Sequence, residues 1–307
     1  MHKQDDLQLF RHKQSEETDM RIYENESFDQ ERSFYGQSDL LIRNCAFRGP
    51  ADGESALKEC RDIQVDYCEF DLRYPFWHDE DIQISNSSLS ESCRAALWYT
   101  GDLQIRSSRL NGIKALRECH DVQIEDCSIN SAEFGWSTAG IMMTNTDVIS
   151  EYFMMRSDHL VFDHVSLNGK YSFQYIHDGV FDHCNFDTKD AFWHSKNVIV
   201  RNSTIKGEYL AWYSENLTLE NCAIIGTQPL CYCKNLKLIN CRMIDTDLSF
   251  ERSEVRATLT EPIESIKNPM SGTITVPYAR QVIFDLNGAN GRVIQTDAEH
   301  AFPVDEQ

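Results

Sequence analysis

The chain has 307 residues and a formal net charge of −20 at pH 7, with no basic stripe to offset it. That balance argues against nucleic acid, anionic membranes and acidic polymers as partners, unless a divalent cation bridges them. No apolar run approaches the roughly 18 residues that a transmembrane helix needs, and the opening MHKQDDLQLFRHKQ has no apolar core after its charges, so the expected location is the cytoplasm.

In chain order, residues 1–19 read as a polar arm, Met20 to Phe28 as an irregular first coil, and residues 20–256 as one repeating body. The repeat is plainest at NLTLENCAI, Asn216 to Ile224, which returns 19 residues later as NLKLINCRM, Asn235 to Met243. The same phase passes through Asp39, Asp62, Asp81, Asp102, Asp121, Gly140, His159, Asp178, Asn197, Asn216, Asn235 and Glu254, with short insertions only before Asp102. Called anchors below, these positions are each followed at one and three residues by apolar side chains, as in Ile82 and Ile84 or Leu217 and Leu219; Gly179 is the exception. Alternate apolar residues mark a short strand with one face buried. One such strand per turn of about 19 residues cannot bury its face alone and must stack on its neighbours. The expected fold is all-β, a single-stranded right-handed parallel β-helix of about 12 coils. Residues 257–307 are expected to supply capping strands and an acidic tail.

Two further ladders look structural. Asn44, Asn86, Asn145, Asn202, Asn221 and Asn240 stand five residues after an anchor, where a tight corner needs a residue that tolerates left-handed backbone. Cys45, Cys68, Cys127, Cys184, Cys222 and Cys241 stand six after, among Ser, Thr and Val, and read as buried reduced thiols. Cys231 and Cys233 lack the spacing of a zinc pair, so no metal ligands are assigned.

The strings GESALK, RYPFWH, KYSF, KDAFWHSKNV, GEYLAWYSENL, QPLCYC and IKNPMSGTI resemble a bacterial family catalogued as domain of unknown function 3737, from about Glu31 to Asp285, with Gln30 standing where the family pattern has Gly. The resemblance implies a right-handed β-helix of the pectin-lyase-like type and leaves activity open.

Two outward features are candidates for function. Trp77, Trp98, Trp136, Trp193 and Trp212 all stand four residues before an anchor, on rungs shared with Lys58, Arg117 and Gln174, which suggests partial exposure. Beside them run His78, His194 and Tyr213, and four residues earlier Arg73, Arg94, Lys170, Lys189 and Glu208, with Asp190 adjacent. Aromatic faces beside charged groups suit a sugar, which has an apolar face and a hydroxyl rim, so an oligosaccharide or small polar ligand is the expected partner. The competing reading is a stack that only stabilises the coils. The second feature is the pair Asp163 and Asp182, one coil apart in VFDHV and VFDHC, with Arg201 one coil further. Such carboxylates could serve a polysaccharide lyase or glycoside hydrolase, or hold Ca²⁺, though no cofactor is otherwise expected. His164 and His183, on the Asn ladder, read as inward corner residues rather than bases. A protein-interaction scaffold is the third function class.

Overall fold

The computed structural model describes residues 20–49 and 55–297; the expected N-terminal arm and the end of the acidic tail lie outside them. Within them the chain forms a right-handed parallel β-helix of about 14 turns. The anchor strands pair in register one coil apart, as Val198↔Leu217, Val200↔Leu219 and Leu219↔Leu238 show. The residues expected to face inward do so: Leu217, Leu219, Leu236 and Leu238 are at most 2% exposed and belong to one core running the length of the stack. Gly179 fits this pattern for a steric reason. A Cβ there would lie 2.7 Å from the Phe181 ring, so glycine leaves room for the bulky residue two positions on.

The stack extends beyond the repeat read from the sequence. Arg21–Glu24 pairs with Ser38–Arg43 and adds a rung at the start. Ser271–Val276 and Arg292–Gln295 add two more after Glu254–Leu259, all parallel. The described part of the segment expected to cap the stack, residues 257–297, therefore adds parallel rungs to the solenoid.

Three left-handed positions recur from coil to coil and bend the chain into its turns, and the later coils add more. The Asn corner is one of them: its residues from Asn44 to Asn240, including Tyr67, His164 and His183, have φ between +47° and +55°. The anchors from Asp39 to Asn235 are a second, which accounts for their being Asp, Asn, Gly or His. The third lies three residues before the anchor and is occupied by bulky side chains such as His78, Tyr99, Tyr175, His194, Tyr213 and Tyr232. Amide side chains tie the coils together outside the core. Asn235 donates to Asn216 at 2.8 Å, Asn216 to Asn197 at 2.9 Å and Asn197 to Asp178 at 2.9 Å.

All 11 cysteines are free and buried. Their ladder is polar as well as compact, since the Cys68 N–H donates to Ser87 Oγ one coil on at 3.0 Å, and the Cys184 N–H to Ser203 Oγ at 2.9 Å. Burial pushes the Cys60 and Cys119 thiols up to about 12, which keeps them protonated and unreactive.

Candidate functional site

The tryptophan position is half-buried, and its geometry differs from a sugar platform. Trp193 and Trp212 stack on each other with ring centroids 5.4 Å apart and planes 3° from parallel, and Trp77 and Trp98 stack at 5.8 Å. Their faces point along the solenoid axis and cover one another. The indole N–H groups of Trp136, Trp193 and Trp212 each donate at 2.7 Å to the backbone carbonyl 16 residues on, at Tyr152, Tyr209 and Gln228. Gln174 Nε2 makes the same bond to Asp190 O at 3.1 Å, which explains a glutamine in a tryptophan ladder. Lys58 sits 4.9 Å over Trp77, and Arg117 lies 5.4 Å from Trp98 and 5.0 Å from Trp136. The mixture of Trp, Lys, Arg and Gln thus reflects stacking and capping along the axis, and the expectation of open indole faces is corrected.

The exposed aromatic surface lies one residue on. Tyr175, His194, Tyr213 and Tyr232 form a column over four consecutive coils, with centroids 4.9, 5.0 and 4.7 Å apart and nearly parallel planes. Tyr175 and Tyr213 are 44% and 45% exposed. His78 and Tyr99 form a shorter column, 4.7 Å apart. Each ring faces its neighbour, so the column turns ring edges outward, with Tyr175 and Tyr213 exposed and His194 and Tyr232 half-buried.

The charged residues are divided between surface and interior. Lys170 pairs with Glu151 at 2.6 Å, Lys189 lies 5.8 Å over the Tyr171 ring, and Arg73 lies 5.3 Å over Tyr74. Glu208 and Arg94 are exposed. Asp190 is buried at a left-handed corner; burial pushes its carboxyl up, with Lys189 opposing the shift and Glu208 adding to it. None of these residues lines the 710 Å³ groove near the C-terminal coils, where Asp245, Asp247, Glu261 and Glu264 gather beside Tyr278 and Arg280.

At the acidic pair, Asp163 and Asp182 are register partners in adjacent strands, and Asp182 is followed by Arg201. Arg201 is engaged elsewhere, its Nε 3.2 Å from Glu220 Oε2. The groups that meet the carboxylates are the two histidines. His164 and His183 are exposed, which corrects their inward placement, and their rings stack at 4.8 Å. His164 Nδ1 lies 3.0 Å from Asp163 Oδ1, and His183 Nδ1 lies 3.4 Å from the same oxygen and 3.2 Å from Asp182 Oδ1. Asn202 Nδ2 donates to Asp182 Oδ1 at 2.8 Å. The sequence signal for this cluster was the Asp-His pair repeated in consecutive coils.

Several solved structures align with the chain at low identity. A pentapeptide repeat protein involved in heterocyst differentiation regulation in the cyanobacterium Nostoc aligns at 10% identity over 76% of this chain and 93% of its own, with a TM-score of 0.31. The A-module of a mannuronan C-5 epimerase of Azotobacter vinelandii aligns at 11% identity over 78% and 89%, with a TM-score of 0.36. PfbA, a surface adhesin of Streptococcus pneumoniae, aligns at 10% identity over 78% and 72%, with a TM-score of 0.30. No curated protein matches the chain in sequence. Residues 21–295 match the model of a family described as protein of unknown function, DUF3737, and the chain belongs to that family.

Proposed function

We propose that the protein binds a neutral or basic glycan without transforming it, along the column Tyr175, His194, Tyr213 and Tyr232. The observation that carries this reading is the regular outward row of hydrogen-bonding edges, one per coil at 4.7 to 5.0 Å. An extended chain of pyranoses has a comparable repeat, so hydroxyls of successive sugars would meet successive ring edges. Tyrosine supplies such contacts at low entropic cost because few of its torsions need to be fixed. Lys189 and Glu208 stand five residues before His194 and Tyr213 in their coils, and the charge of −20 disfavours polyanionic glycans. The ligand would then be held by edges and charged groups, with Trp193 and Trp212 as the supporting wall.

The alternative of a lyase or glycoside hydrolase at Asp163 and Asp182 is less well supported, because the arginine it would use is paired with Glu220. A panel of immobilised neutral, amino and acidic oligosaccharides tests the glycan reading. Binding to a neutral or amino glycan should weaken about tenfold or more in Tyr213→Ala and in His194→Ala, which corresponds to about 1.4 kcal/mol each. A panel without binders, or binding indifferent to both substitutions, would leave the interaction scaffold as the better reading.

A further inference from the structure

We infer that Asp163, His164 and His183 form a site for one divalent transition metal ion of the zinc class, open to solvent at the edge of the solenoid. Three ligand atoms, one from each residue, lie within 4.8 Å of one another, and no other group of three such side chains converges in this way among the described residues. Both imidazoles turn Nδ1 toward a single carboxylate oxygen, at 3.0 and 3.4 Å. A tetrahedral ion with bonds of roughly 2.0–2.1 Å has its ligand atoms about 3.3 Å apart, so these two edges are already near their final length. The third edge, between the rings, closes by rotation of exposed side chains.

The fold supplies this convergence. His164 and His183 occupy the left-handed corner in adjacent coils, with φ of +54° and +51°, so their rings stack and their Nδ1 atoms point the same way. Asp163 and Asp182 are register partners on the strand just before that corner. Asp182 Oδ1 lies 3.2 Å from His183 Nδ1 and is held by the Asn202 amide at 2.8 Å, which places a second carboxylate as a fourth ligand or as an outer partner that fixes the imidazole. Other exposed histidines meet carboxylates without a second imidazole converging on the same oxygen, as His177 meets Asp158 at 3.2 Å and His120 meets Asp121 at 3.2 Å and Glu80 at 3.6 Å. Two imidazole nitrogens with one or two carboxylates suit Zn²⁺, Co²⁺ or Ni²⁺. Ca²⁺, raised above for the acidic pair, takes roughly six to eight oxygen ligands and fits this donor set poorly.

The full-length protein, stripped with EDTA, should take up about one Zn²⁺ per chain in calorimetric titration, and Co²⁺ should give the visible d–d bands of a nitrogen–oxygen site. The double substitution His164→Asn and His183→Asn should abolish both signals. It should also fold, because asparagine holds this same left-handed corner at Asn44, Asn86, Asn145, Asn202, Asn221 and Asn240. His120→Ala, which removes an exposed imidazole beside Asp121 and Glu80, should leave uptake unchanged. Absence of uptake by the wild type overturns the inference. So does uptake that survives in the double variant, as it would if the cysteines were the ligands, or uptake lost in His120→Ala.

Discussion

One side of the coil is built in two ways along the same stack. In the early coils, Leu57–Lys58, Phe76–Trp77, Leu97–Trp98 and Leu116–Arg117 form short strands that pair into a four-stranded parallel sheet. In the later coils the same side is a turn in which every second residue is left-handed: Tyr171, Phe173 and Tyr175, then Asp190, Phe192 and His194, then Tyr209, Ala211 and Tyr213. Both insertions in the spacing fall among the early coils, between Asp39 and Asp62 and between Asp81 and Asp102, and the later coils up to Glu254 keep the 19-residue spacing. The turn brings the Trp193 and Trp212 N–H groups onto carbonyls of the next coil, whereas the Nε1 atoms of Trp77 and Trp98 are buried without a protein acceptor. A ladder of like residues is therefore compatible with two backbones, and the backbone decides which polar atoms are satisfied.

The largest expected difference between the regions arises at Asp79. It is fully buried in the early stack, on a rung that carries Ser157, Ser195 and Ser214 in the later one. Its Oδ1 accepts from the Cys60 N–H at 2.8 Å, while Oδ2 has no protein partner. Burial pushes its carboxyl up to about 8 from 3.8. Between those values the folded state keeps a proton that the unfolded state releases, so the associated stability is complete below about pH 4, falls as pH rises to 8 and is flat beyond. The swing is on the order of 5 kcal/mol. Asp79→Ser, which keeps an acceptor as Ser157 does for Thr138 N at 3.1 Å, should remove that part of the slope. Urea unfolding at pH 5 and pH 8 checks this, and equal pH slopes for wild type and variant would rule it out.

Next in size is the aromatic core of the later coils. Phe173 stacks on Phe192 at 4.7 Å and meets Phe181 edge-on at 5.0 Å, while the same rung in the early coils holds Leu57, Leu97 and Leu116 besides Phe34 and Phe76. Phe173→Ala should cost about 3–5 kcal/mol. The loss should exceed that of Leu97→Ala by about 1 kcal/mol, the worth of the aromatic pairing beyond burial. Equal losses in urea unfolding would mean that the phenylalanine cluster adds nothing beyond its volume.

The core was legible in the sequence because inward residues follow strict alternation between corners, and a period of two assigns faces without ambiguity. The corners were not legible in the same way. A left-handed residue rotates the direction of the chain, so inward and outward cannot be counted through it, and His164 and His183 were placed on the wrong side although their rung was found. The tryptophan ladder failed for a different reason. Its rung position and partial exposure were correct, but the indole faces expected to be open cover one another, with Lys58 and Arg117 as cations on ring faces and Gln174 as an amide capping a carbonyl. Composition at a rung reports which side chains stack, and only backbone geometry reports which way they point.

The smallest expected effect isolates that geometry. The Trp212 Nε1–H donates to Gln228 O at 2.7 Å, and Trp212→Phe keeps a ring against Trp193 while removing the donor from a half-buried carbonyl. The cost should be about 1 kcal/mol in addition to the smaller ring. Trp98→Phe keeps its stack with Trp77 and its contact with Arg117, and it removes an N–H that has no protein acceptor. The ring loss is common to both substitutions, so the difference between them reports the lost hydrogen bond of Trp212 together with the relief of the unpaired Trp98 N–H. Unfolding midpoints in urea should therefore place Trp212→Phe below Trp98→Phe by about 1 kcal/mol. A reversed order would mean that the strand-built side depends on its indoles more than the turn-built side does, and that the capping bonds of the later coils are not what keeps tryptophan on this rung.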